Sequence, residues 1–297
     1  MNERPALELR RPRKLDQILG DGLSSYGQAI WVLLGVSAAI VIPANAIVNF
    51  DSFGRGYQEK AEVGRQIIDV ALGFLVISPL VTAMAIHVLR EQAENRKAGF
   101  LETMRSGFDA FAPLFVAVLI AGVGIALGLF ALIVPGIFVA VRWLFVAQAV
   151  VIEKKERLDA LALSTELTRG LWWRTAGVAL AVNLCAIVPT ALLALPLEAG
   201  ADAADADALS LVGTMLGQIV AAPFVALCIT LLYFDLVARK AGVSLPGPSA
   251  PQADPDWTPP PPPVEGIPRD PGPPPDREPG QERPPDPPGL PPRDPQA

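Results

Sequence analysis

Between Phe111 and Ile152 lie 42 residues with a single formal charge, Arg142. A helix needs about 20 apolar residues to cross roughly 30 Å of hydrocarbon, so this run has the length of two membrane crossings. Pro135-Gly136 falls inside it, with no polar loop around the pair. Proline breaks a helix and glycine permits a tight reversal. The run therefore reads as a hairpin of two spanning helices that turns at Val134-Pro135-Gly136.

Four further apolar runs complete the pattern. The expected spans are 29–48, 67–89 (with Pro79 as a kink), 111–134, 136–152, 175–197 and 211–237. The expected fold class is all-α: a polytopic membrane protein with six transmembrane helices, cytoplasmic amphipathic helices and a disordered proline-rich tail. Residues 1–28 form an N-terminal segment in which Leu15, Ile18, Leu19, Leu23 and Tyr26 recur at helical spacing. That stripe suits either a helix on the membrane surface or a lead-in to the first span. Similar stretches at 100–111 and 158–171 suggest three units, each a surface helix followed by a hairpin.

Composition separates the tail from the body at about residue 243. Of the 31 prolines, 22 lie beyond that point, including five in a row at Pro259 to Pro263. Such a segment cannot bury a core and favours polyproline II. It is either a ligand for a cytoplasmic protein partner or a solvated tail without one. From Ser244 onward there are nine acids and four arginines, which leaves the body near neutrality. That balance offers no basic surface for nucleic acid.

Lysine and arginine count 16 on one side of the six spans and three on the other. The positive-inside rule then places both termini in the cytoplasm of a multi-pass cell-membrane protein.

Few residues could carry chemistry. Arg142 and Asp69 are expected at similar depths near the outer boundary, where Arg142 either pairs with Asp69 or snorkels to the interface. Asp235 and Glu153 end their spans beside Arg239, Lys240, Lys154 and Lys155, which suits boundary ion pairing. Asn183 and Gln148 could bridge helices, and Gly124-x-x-x-Gly128 and Gly213-x-x-x-Gly217 suit close packing within the chain. Cys185 and Cys228 lie in apolar runs and cannot form a metal cluster. No nucleophile–base pair, His-Glu metal motif or phosphate loop is present. The chain is expected to be non-enzymatic and to need no cofactor.

The residues from Pro135-Gly136 through Val141-Arg142-Trp143 to Glu153 form a recognisable pattern with Ala160-Leu161, Ser164, Leu167-Thr168, Gly170 and Trp172-Trp173-Arg174. Together they resemble the glycerophosphoryl diester phosphodiesterase membrane domain family of bacteria. Leu232-Tyr233-Phe234-Asp235-Leu236-Val237-Ala238-Arg239-Lys240 is similar to that family's closing motif, with Val237 where the pattern has arginine. Leu15-Asp16-Gln17-Ile18-Leu19 resembles its opening. The likeness covers about residues 10–243. It implies a six-helix membrane domain of unassigned function, without the phosphodiesterase domain from which the family takes its name.

Two functions remain in view. One is a non-enzymatic protein, in contact with membrane lipid, that organises or supports cell-envelope components. The other is a small-solute or lipid transporter, with Pro79, Pro189 and Pro223 bending helices around a cavity. A polar midplane cavity open to one side would favour the second.

Overall fold

The computed structural model describes residues 9–48, 59–204 and 207–244. The proline-rich tail lies outside the described residues. Among the described residues ten α-helices run in order: α1 (Leu15–Gln28), α2 (Ile30–Val48), α3 (Glu59–Leu72), α4 (Ser78–Ala93), α5 (Phe100–Ala131), α6 (Ile133–Arg142), α7 (Val146–Glu153), α8 (Arg157–Thr168), α9 (Trp172–Ala204) and α10 (Asp207–Ser244). No strand occurs among the described residues. Six stretches of the described residues are long and apolar enough to cross a membrane, at Ile30–Ile47, Ile67–Ala93, Phe100–Ala131, Ile133–Glu153, Trp172–Gly200 and Leu211–Gly242. The protein is an all-α, multi-pass membrane protein.

The last span is the hub. Its apolar window is 56% buried inside the protein, against 22% for α5 and for α9. α9 lies along it, and α1, α2, α4 and α8 also touch it. Gly213 and Gly217 allow the closest approach to α9: a Cβ on Gly217 would stand 2.7 Å from the Thr190 methyl. Gly124 and Gly128 do the same on α5, facing Trp143 and Gly136. Both small-residue patterns thus serve packing within the chain.

Three local expectations need correction. The hairpin turns at Leu132, not at Val134-Pro135-Gly136. Leu132 alone adopts an extended backbone (φ −164°, ψ 144°), and Pro135-Gly136 lies in the first turn of α6. There proline removes an N–H that would have had no partner anyway, and its fixed φ suits the helix. Second, 100–111 is not a separate surface helix. It is the first third of α5, which continues through Pro113 to Ala131 without a break. Third, the second span is built in pieces: α3 passes through a π-helical turn at Gly73–Ile77 into α4, where Pro79 sits in the first turn. The Ser78 N–H reaches back to the Gly73 carbonyl, the i→i+5 pattern of a π-bulge.

α1 is docked rather than free. Ile18, Gly22, Ser25 and Tyr26 form its buried face, while Leu15 and Leu23 remain exposed. Gly22 packs against Cys228 so closely that a Cβ would stand 2.4 Å from the sulfur. The Tyr26 hydroxyl donates to the Val220 carbonyl at 3.2 Å.

Candidate functional site

Two features stand out: a charged clasp at one end of α10 and a cavity among the spans. The clasp is centred on Asp235, whose side chain is fully buried. A buried carboxylate needs donors on all sides. Asp235 has them: the Arg13 backbone N–H at 2.6 Å, Arg174 Nη2 at 2.9 Å and Arg239 Nε at 2.9 Å. Arg174 and Arg239 also donate to the Arg13 carbonyl, at 2.6 and 2.9 Å. The peptide of Arg13 is therefore held by α9 and α10 together.

The Arg13 side chain is itself fully buried and turns the other way, to Asp21 at 3.0 Å. Arg11 reaches the same Asp21 oxygen at 2.8 Å. Partial burial pushes the Asp21 carboxyl up, but the hydrogen bonds and charges of Arg11 and Arg13 outweigh it, and the net shift is downward. A lowered carboxylate stabilises the fold above its unfolded pKa, and that contribution is lost as pH falls through the folded value. The boundary pairing expected for Asp235 is thus a buried network that pairs it with Arg239 but also with Arg174 and Arg13. Lys240 pairs instead with Glu166, at 3.5 Å. Glu153 accepts the Tyr233 hydroxyl at 3.0 Å and makes no ion pair with Lys154 or Lys155.

Ser164 is a joint. Its Oγ donates to the Arg142 carbonyl at 2.7 Å and accepts from the Phe145 N–H at 3.1 Å. It thereby satisfies a backbone group on each side of the break between α6 and α7. α8 presents it there on a buried face that also includes Ala160, Leu161, Leu167 and Thr168. Gly170, at φ +78°, takes the left-handed conformation that ends α8. Ser164→Ala should lower stability by about 1–3 kcal/mol, because the buried Phe145 N–H and the half-buried Arg142 carbonyl lose their partner. Thermal unfolding of the purified protein measures it.

Arg142 and Asp69 are not partners, and neither makes an ion pair among the described residues. The Arg142 guanidinium lies over the Phe138 ring, 5.2 Å from its centroid, at the carbonyl end of α6. The α6 dipole favours a cation there. One carboxylate oxygen of Asp69 is buried with no hydrogen-bond partner. Equal depth along two helices does not place two side chains on facing sides.

The cavity encloses about 820 Å³ between the π-turn, α4 to α7, α9 and α10. Its walls are mostly apolar, including Phe74, Val118, Ile125, Ile187 and Val225. Phe74, Ile187 and Leu195 on this lining are exposed, so the cavity is not sealed. Polar side chains interrupt the walls at Thr82, Gln148, Asn183, Thr190 and Gln218. Asn183 spends its amide N–H on the Ala179 carbonyl of its own helix, so it does not bridge helices. Gln148 does: its Nε2 makes a long 3.5 Å contact to Thr230 of α10. Gln148 is 2% exposed, and its Oε1 has no partner within the protein. A buried amide oxygen left unpaired is costly. This one belongs to a cavity-lining residue.

No group of three or more His, Cys, Asp or Glu side chains that could hold a metal occurs among the described residues. Comparison of the chain with protein-family patterns, with curated proteins and with solved structures found no match in any of the three.

Proposed function

We propose that this protein binds a lipid-like amphipathic molecule between its spans and carries or presents it within the membrane. One observation carries the reading: an unsealed, mainly apolar cavity of about 820 Å³ with a few polar side chains, Thr82, Asn183, Thr190 and Gln218 among them, on its lining. Ligand sites of 300–1,000 Å³ with apolar walls and a few placed polar groups are the usual form of small-molecule pockets. The cavity lining is poor in charge, Glu198 being its one ionisable side chain, which suits a ligand drawn from the bilayer better than a hydrated ion. Pro79 lies on the lining, and Pro189 and Pro223, each inside its helix, are flanked by lining residues. The excess of Lys and Arg at the clasp end argues for that end facing the cytoplasm. The resemblance to the phosphodiesterase-linked membrane domains adds no activity of its own.

The test fills the cavity from its open wall. Asn183 and Ile187 line it with exposed side chains, so tryptophan there enlarges no packed core. Asn183→Trp and Ile187→Trp should each keep the folded yield and lose at least tenfold of the lipid retained by the purified protein, read by native mass spectrometry. Unchanged retention in both would reject the reading. It would leave the organising role, with the tail recruiting partners, as the better account.

Gln148→Leu removes a buried amide whose Oε1 is unpaired, together with its long Nε2 contact to Thr230. An unpaired buried acceptor costs more than a 3.5 Å contact contributes, so the variant should unfold at a slightly higher temperature than the parent.

A further inference from the structure

We propose a second, separate site: a pocket at the clasp end that binds a phosphate group between Arg10 and Arg90. It is an open, shallow concavity of about 450 Å³ lined by Leu9, Arg10, Arg90, Ala93, Ile152 and Phe234. Two of these six are arginines and none is acidic.

Most of the carboxylates around it are committed elsewhere; Glu102, Asp109 and Glu156 line a neighbouring concavity with Arg90, where Arg105, Lys154 and Lys155 balance them. Glu91 and Glu94, beside Arg90, both hold Arg96, at 2.8 and 2.6 Å. Asp21 holds Arg11 and Arg13, and Asp235 holds Arg174 and Arg239. Glu153, next to Ile152, accepts the Tyr233 hydroxyl, which orients it but leaves its charge to offset part of the positive field. Neither Arg10 nor Arg90 makes an ion pair among the described residues. The adjacent clasp adds to the imbalance, since it sets four arginines against two carboxylates. Two unpaired guanidinium groups in one concavity are a match for a phosphate, which guanidinium recognises by paired N–H donors.

The level of the pocket is informative. Arg90 lies three residues before the end of α4, and Ile152 one residue before the end of α7. The site therefore sits at the boundary where spans end, the level of lipid phosphates. Basic pockets between spanning helices at that level bind anionic headgroups. The remaining four lining residues are apolar and give the non-phosphate part of such a molecule a surface to lie on.

The protein in phosphatidylcholine nanodiscs supplies the test, with phosphatidylglycerol titrated in and bound lipid counted by native mass spectrometry. Phosphatidylglycerol should bind, and an Arg10→Gln, Arg90→Gln double variant should bind it at least tenfold more weakly. Arg10→Gln alone, at an exposed side chain, should give an intermediate loss and guards against misfolding of the double variant. Inorganic phosphate at millimolar concentration distinguishes the source. If it displaces the lipid and binds with the same arginine dependence, the occupant is free phosphate; if it does not, the occupant is the lipid. Either result supports a phosphate site. Binding that is unaltered in both variants would overturn it. Asn183→Trp, which blocks the intramembrane cavity, should leave this binding intact, so the two sites fail independently.

Discussion

Asp235→Leu should leave little folded protein in the membrane. The side chain is fully buried and accepts hydrogen bonds from three directions, and its removal strands Arg174 and Arg239 against the Arg13 peptide. Breaking a buried ion pair by deleting one partner costs roughly 3–5 kcal/mol. That is a large share of the roughly 5–15 kcal/mol that holds a typical domain together. Asp235→Asn keeps one acceptor oxygen and should fall between Leu and the parent. Arg239→Gln should cost less than either, because Arg239 is one-third exposed and Arg174 still holds the carboxylate. Folded yield and unfolding temperature in detergent give the order. Parent-like stability of Asp235→Asn would mean that the carboxylate charge does not hold the clasp.

The second large effect is expected at Gly136. A Cβ there would lie 2.4 Å from Leu129 Cδ2 and 2.6 Å from the Leu129 backbone nitrogen. A side chain can rotate away, but a backbone nitrogen in a helix cannot. Even Gly136→Ala must therefore prise α5 from α6, at the cost of about 1–3 kcal/mol typical of overpacking. Gly20→Ala is the matched control. It lies within α1 with nothing within 4 Å of an added Cβ, and it should stabilise by about 0.5–1 kcal/mol. Equal effects at the two positions would contradict the close hairpin.

The contrast between these sites shows what the sequence could reveal. Span number and order are legible because apolar length is a local property, and 42 residues around Pro135 admit no other division. The turn itself is not local. It falls at Leu132 because Gly128 and Gly136 let the two helices meet, and proline is as much at ease in a first helical turn as at a break. The clasp was half legible. Asp235 stands among apolar residues, so it had to find a cation, and Arg239 is one helical turn away. Arg174 and Arg13 are 61 and 222 residues distant, and no periodicity connects them. Arg142 and Asp69 failed for the opposite reason. Hydropathy gives depth along a helix but not which way a side chain points. The cavity is foreshadowed only by its prolines, while the π-turn that contributes Gly73, Phe74 and Ile77 to its wall obeys no simple residue pattern.

The most direct measurement of the central claim is photocrosslinking with a phospholipid that carries a diazirine in its acyl chain. The protein would be labelled in native membranes and the adducts mapped by peptide mass spectrometry. Every lipid-facing side chain will label to some degree, Phe130 and Trp31 among them, since both are strongly exposed. The account predicts additional adducts on Thr82, Gln148 and Ala226, which line the cavity but are themselves buried. It also predicts that these inner adducts disappear in Asn183→Trp while the outer ones persist. Adducts confined to the outer surface, in the parent as in the variant, would contradict a lipid held between the spans.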